Sequence, residues 1–238
     1  MQELLYSLIT LPFIKKDEKQ DEKGGSGKEA NTQTKANAEA ASCLEEKEEL
    51  ADFKLKSELY KTILLRYQDM IEQSESKTIA EMKGMIRPED KSVIEMKDSI
   101  IATCHPYIYE EKFPEAFKMA VSRLCMIKTV KLPIEFWLSN DFSEMLALGA
   151  GDGMDKAIFL CSLLRALGNS DVWVVVTSAR KSYVVSSFWE ESTLVDVETC
   201  EQAGGPTREE VLKALSEKSK VLYAFNDKEY EEHTELSD

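Results

Sequence analysis

The sequence predicts an α+β fold, a helical half packed on an antiparallel β-sheet with a buried central helix after a Gly-Asp-Gly elbow. Three observations carry this. Between residues 44 and 131 apolar residues recur three and four apart, the spacing of amphipathic helices. From Asp171 to Val197, three short runs are β-branched and aromatic with turn residues between them. Between these regions lies DFSEMLALGAGDGMDKAIFLCSLLRALG, Asp141 to Gly168, which sets an apolar helix on each side of a glycine-rich elbow.

The chain divides by composition into five parts. Residues 1–14 hold a short apolar segment in which Leu4, Leu5, Leu8, Ile9 and Leu11 can form an amphipathic helix ending near Pro12. It lacks a basic leader and a small-residue cleavage site, and it is too short to span a bilayer. Residues 15–43 are polar, mixed in charge and include Gly24 to Gly27, the composition of a flexible linker. Residues 44–131 form the helical region. Leu44 to Ser74 reads as one long helix with a stripe of Phe53, Tyr60, Ile63, Leu64, Tyr67, Met70 and Ile71. That stripe packs on neighbouring helices or pairs with its own copy as a coiled coil. A shorter helix follows over Thr78 to Ile86. Pro88, Glu89 and Asp90 start another, with Val93, Met96, Ile100 and Ile101 facing inward until His105-Pro106 breaks it. Pro114 and Glu115 start the next, burying Phe117, Ala120, Val121, Leu124 and Ile127.

Residues 132–226 form the core. Phe136 and Trp137 read as core anchors and Ser139 as a helix cap. Gly149 and Gly151 end the first elbow helix in left-handed conformations. Asp152 caps the second, with Asp155 three residues on as its capping partner. Ala157, Ile158, Leu160, Cys161, Leu164 and Leu167 make that helix apolar on most sides, and so central. Three strands follow: Asp171–Thr177, Lys181–Trp189 and Thr193–Val197, the last two joined as a hairpin. Gly204-Gly205-Pro206 reads as a turn. Thr207 and Glu210 cap a last helix, and Val221–Phe225 is a last strand. Residues 227–238 read as an acidic tail that frays.

Composition limits the partners. The 238 residues carry a formal net charge of −14, which disfavours a nucleic-acid surface and favours basic or neutral protein partners. The five cysteines, Cys43, Cys104, Cys125, Cys161 and Cys200, show no paired spacing and read as free thiols of a reducing cytoplasm. Neither they nor His105 and His233 form a metal-ligand pattern, and no cofactor is expected. His105 beside Pro106 reads as a loop residue. Cys161 reads as a small buried hydrophobe, and Cys200 as structural or exposed.

The run GDGMDKAIFLCSLLRALG, followed by a strand, KSYVV and LVDVET, resembles the core of the transglutaminase-like, papain-type superfamily over roughly Leu132 to Thr199. The resemblance implies a groove between helical half and sheet. It also implies a Cys-His-Asp triad of thiolate nucleophile, imidazole base and orienting carboxylate. Here the cysteine position falls on Gly153. The histidine position falls on Lys181, or on Ser182 with a shift of one residue, and the aspartate position is kept as Asp196. The residues therefore argue against catalysis.

The expected function is a catalytically inactive transglutaminase-like module that binds or scaffolds protein, with Asp152, Asp155, Lys181, Tyr183 and Asp196 near the groove and possible self-association through the 44–74 helix. The alternative is an active cysteine hydrolase or acyltransferase with a rearranged site. A nucleotide-binding reading of LALGAGDG fails on two counts: FSEMLAL is helical in pattern, and the next strand ends without an acid to hold a ribose.

Overall fold

The computed structural model describes residues 50–51, 53–75, 77–131 and 142–233. The expected N-terminal segment, the linker, the anchors Phe136 and Trp137, the cap Ser139 and the end of the acidic tail lie outside them. The chain divides into two compact units, residues 1–60 and 61–238. In the first, residues 53–60 are helical, with Phe53, Leu55 and Leu59 exposed.

The second unit holds the site. It begins with helical residues 61–66, a turn at Tyr67, and α1 (Gln68–Glu75). The expected single helix is thus interrupted, and Ile63, Tyr67 and Met70 of its stripe are exposed. Thr78 and Glu81 close a reciprocal capping box at the start of α2 (Ile79–Met85). Asp90 caps α3 (Lys91–Thr103) through the Ser92 N–H at 2.9 Å, so Pro88 lies ahead of the helix and not in its first turn. Helix α4 (Tyr109–Cys125) starts before the expected Pro114, which sits inside it. The bond that Pro114 cannot donate belongs to the carbonyl of exposed Glu110. Buried Phe113 and Phe117 on either side of Pro114 hold the turn to the core.

A two-stranded parallel pair, β1 (Lys128–Thr129) with β2 (Ala150–Gly151), brackets α5 (Phe142–Leu148). Gly149 has the positive φ expected of it, 61°. Gly151 is glycine for a different reason: a Cβ there would sit 2.8 Å from the Met145 sulfur. Helix α6 (Gly153–Ala166) then runs through the centre of the unit. Its Phe159, Leu160, Cys161, Leu163 and Leu164 are fully buried.

The sheet is antiparallel throughout, ordered β6-β5-β4-β3-β7-β8. Its strands are β3 (Val172–Thr177), β4 (Ser182–Phe188), β5 (Glu191–Asp196), β6 (Gln202–Gly205), β7 (Val221–Phe225) and β8 (Tyr230–Glu232). One face, with Val174, Val184 and Val195, packs on α6. The other, with Trp173, Val175, Val185 and Leu194, is covered by Val211, Leu212 and Leu215 of α7 (Arg208–Ser216). The α+β architecture with a buried central helix is therefore present.

Three expectations change. Gln202–Gly205 is an edge strand and not a turn, because it pairs with β5 from Val195 to Ser192. The stretch from Asp227 is ordered through β8, and Asp227 forms an ion pair with Arg165 at 2.6 Å. Cys125 and Cys200 form a disulfide with Cα atoms 6.0 Å apart, a usual spacing for one. The reading of five free thiols is thus corrected, and it no longer supports a reducing compartment. A partner 75 residues away leaves no mark in local spacing. No helix among the described residues is long and apolar enough to cross a membrane.

Candidate functional site

The site lies where α6 begins, beside the turn that follows β5. Asp152 accepts the Asp155 N–H at 2.8 Å, as its N-cap position requires. Gly153 is the first helical residue. A Cβ added there would stand 3.4 Å from Glu198 Oε1. The space where a side chain at this helix start would project is thus lined by a carboxylate of the chain itself. A negative charge at the positive end of a helix dipole is favourable.

Glu198 is placed by the β5 end. Asp196 Oδ1 accepts the N–H groups of Glu198 at 2.9 Å and Thr199 at 3.2 Å, an Asx turn. The Thr129 hydroxyl donates to the Glu198 carbonyl at 3.4 Å. Lys131 Nζ reaches Glu198 Oε2 at 3.3 Å, and Lys181 Nζ reaches Asp196 Oδ2 at 3.9 Å. Glu198 and Lys131 therefore stand at the helix start, and Asp196 with Lys181 forms a second ion pair at the adjoining β5 end, on the sheet face of its cross-strand partner Tyr183. Cys200 closes the same turn: its N–H donates to the Asp196 carbonyl at 2.7 Å, and its sulfur is tied to Cys125 at the end of α4.

Burial sets the charges. Desolvation pushes the Asp152 carboxyl above its ordinary range, with Glu198 adding to the shift against the hydrogen bonds from Asp155 and Met154. Lys156, one turn into α6, is 1% exposed. Its ammonium donates to the Ile127 carbonyl at 3.0 Å and to Thr129 Oγ1 at 2.9 Å. Desolvation lowers its pKa, and Glu198 and Asp196 oppose that. Lys156 thus straps β1 to the central helix.

Of the expected site residues, the fold brings Gly153, Asp152, Lys181 and Asp196 to this end of the sheet. Asp155 is buried. Tyr183 is 8% exposed and belongs to the face under α7, so it does not share the elbow's face. Alternation along β4 places Ser182, not Tyr183, toward α6, where its hydroxyl lies 3.7 Å from the Met154 sulfur. Glu198, Lys131 and Lys156 went unnoticed in the sequence. A lysine inside an otherwise apolar helix was the available signal for Lys156.

Neither histidine lies on the elements that build this constellation. His105 is exposed after α3, and His233 follows β8 with Nε2 3.9 Å from Glu231 Oε2. Cys104 and Cys161 are buried thiols whose pKa values burial raises. Among the described residues no group of histidine, cysteine and acidic side chains is arranged to hold a metal ion.

No protein-family model matches the chain, and no curated protein matches it. Two solved structures do. Calcium-bound Legionella pneumophila LapG aligns with a TM-score of 0.42 at 15% identity, covering 61% of this chain and 80% of that one. A second Legionella pneumophila LapG structure aligns with a TM-score of 0.43 at 14% identity, covering 68% of this chain and 91% of that one.

Proposed function

We propose that the chain is a degenerate member of the transglutaminase-like superfamily that has lost catalysis and works as a protein- or peptide-binding, scaffolding module. The observation that carries this is the start of α6. Gly153 has no nucleophile to offer, and the Glu198 carboxylate lines the space a thiolate would occupy. A carboxylate there opposes thiolate formation as well as replacing it. The position facing α6 from β4 holds Ser182, which cannot act as an imidazole base. Cys161 and Cys104 are buried, and Cys125 and Cys200 are consumed by their own bond.

The polar side chains proposed to meet a partner at this end are Asp152, Lys181, Asp196 and Glu198, each partly exposed. Asp155 and Tyr183 act as supports. The exposed residues Ile63, Tyr67 and Met70 motivate a second contact, self-association through the segment expected as a helix over 44–74.

The test is cysteine reactivity. Native protein is treated with iodoacetamide near pH 6, with and without prior reduction, and all five thiols are quantified by mass spectrometry. A thiol of ordinary pKa, about 8.5, hardly reacts there. Uniformly slow labelling is expected. One hyper-reactive cysteine overturns the inactive-module reading in favour of a cysteine hydrolase or acyltransferase.

A further inference from the structure

The sheet has two outer strands, and the chain treats them differently. β8 is three residues long and carries Glu231 and Glu232, with Arg208 gripping the Glu231 carboxylate at 2.9 and 3.0 Å. Short length and charge are how an edge is kept from pairing with a foreign strand. β6 has neither charge nor proline. It reads Gln202-Ala203-Gly204-Gly205, and the first three are exposed.

Register decides which backbone groups of β6 face outward. The Asp196 N–H donates to the Glu201 carbonyl at 2.9 Å. The same phase carries on to the pairs Leu194–Ala203 and Ser192–Gly205. Residues 201, 203 and 205 therefore face β5, and the N–H and C=O of Gln202 and Gly204 point to the open side. Gly204 also leaves room: a Cβ there would lie 3.6 Å from Glu191 Oε1. That carboxylate lies over the Gly204 position at the edge, and Glu190 next to it in the chain is exposed.

We propose that β6 is a strand-addition site, at which an extended peptide bearing lysine or arginine pairs with Gln202 and Gly204 as a seventh strand and sets a cation against Glu191. Main-chain bonds supply affinity in such docking and side chains supply selection. A second copy of the chain is opposed by charge. Edge-to-edge pairing would bring the Glu191 carboxylates of two molecules to one seam, on molecules of net charge −14 each. The proposal rests on the peptide-binding reading and gives it a seat and a partner chemistry.

The experiment follows amide resonances of the full, isotope-labelled chain during titration with a blocked peptide of alternating lysine and valine. Shifts at Gln202 and Gly204 are expected, with slowed hydrogen exchange at both. Gly204→Pro removes one outward donor and should weaken binding about ten-fold, the worth of one main-chain bond. Gly204→Ala keeps the donor and should weaken binding less than Gly204→Pro. A peptide with glutamate in place of lysine should leave the spectrum unchanged. Shifts confined to residues 152–156, 181 and 196 overturn the edge site and leave the binding module standing. An equal response to the acidic peptide overturns the basic partner. Protection of Gln202 and Gly204 that grows with protein concentration alone assigns the edge to a second copy and overturns the proposal. No shift anywhere with millimolar peptide counts against both the edge and the module.

Discussion

The carboxylate of Glu198 stands 3.4 Å from the point where a side chain at Gly153 would begin. The two positions are 45 residues apart in sequence, and the Asx turn built on Asp196 brings them together. A thiol placed at Gly153 would therefore start beside an anion. Gly153→Cys is expected to react slowly with iodoacetamide near pH 7. Adding Glu198→Gln removes that charge and should speed alkylation about ten-fold, the effect of lowering the thiol pKa by one unit. Equal rates in the single and double variants would sink the idea that Glu198 controls this space.

Asp152 gives a pH signature. Its native pKa lies above the ordinary 3.8 because of burial. The native state thus binds the proton more readily than the unfolded chain. Its contribution favours folding at low pH and is lost as pH rises through the raised value. Asn keeps the cap without the charge. Asp152→Asn should melt higher than wild type at neutral pH, with the difference closing as pH falls toward 3.8. A constant difference across the titration would show that the charge is not the cause.

Lys156 can be tested locally. Its ammonium holds Ile127 and Thr129, and the adjoining N–H groups of Lys128 and Val130 bond to the carbonyls of Gly149 and Gly151 at 2.8 and 2.9 Å. Lys156→Met leaves the buried Ile127 carbonyl and the half-buried Thr129 hydroxyl short of a donor, a cost of about 1–3 kcal/mol for the buried acceptor. Amide exchange at Lys128 and Val130 should quicken more than at the sheet amides of Val174 and Val184. Uniform quickening would mean global destabilisation and no strap.

The covalent bond between α4 and the β5–β6 turn predicts a redox-dependent stability. A bond across a 75-residue separation is worth about 4.5 kcal/mol in the chain-entropy account, against the about 2–4 kcal/mol that disulfides typically contribute. Cys125→Ser should lower the denaturation midpoint accordingly, and reduced wild type should fall to the same midpoint. A variant as stable as the oxidised wild type would exclude the bond from the folded protein.

Much of this fold was legible where local chemistry repeats. Asp152 announced the α6 cap, the valines of β3 announced a strand, and Thr207 announced α7. Elements lacking a period were not legible. Lys128–Thr129 and Ala150–Gly151 are too short to show alternation, yet they fix the elbow. Two glycines made β6 look like a turn, and only its neighbour β5 makes it a strand. Pro114 read as a helix start because a proline inside a helix is disfavoured by itself, and Phe113 and Phe117 overrule it. At the site, one residue of register separates Ser182 from Tyr183 and decides which meets α6. Glu198 carried no signal in the sequence and became part of the site only through folding.

The bond from Cys125 to Cys200 makes a closed loop of the chain between them, which contains the elbow, α6 and the strands β3, β4 and β5. Everything before it and after it is a tail on this ring. A protease that cuts once inside the ring leaves a single molecule until the bond is reduced, so a nicked chain runs whole on a non-reducing gel and as two pieces on a reducing one. Pulled by its two termini, the oxidised chain can lengthen only through its tails. The 75 residue steps inside the ring, about 250 Å of extended backbone, are withheld from the applied force.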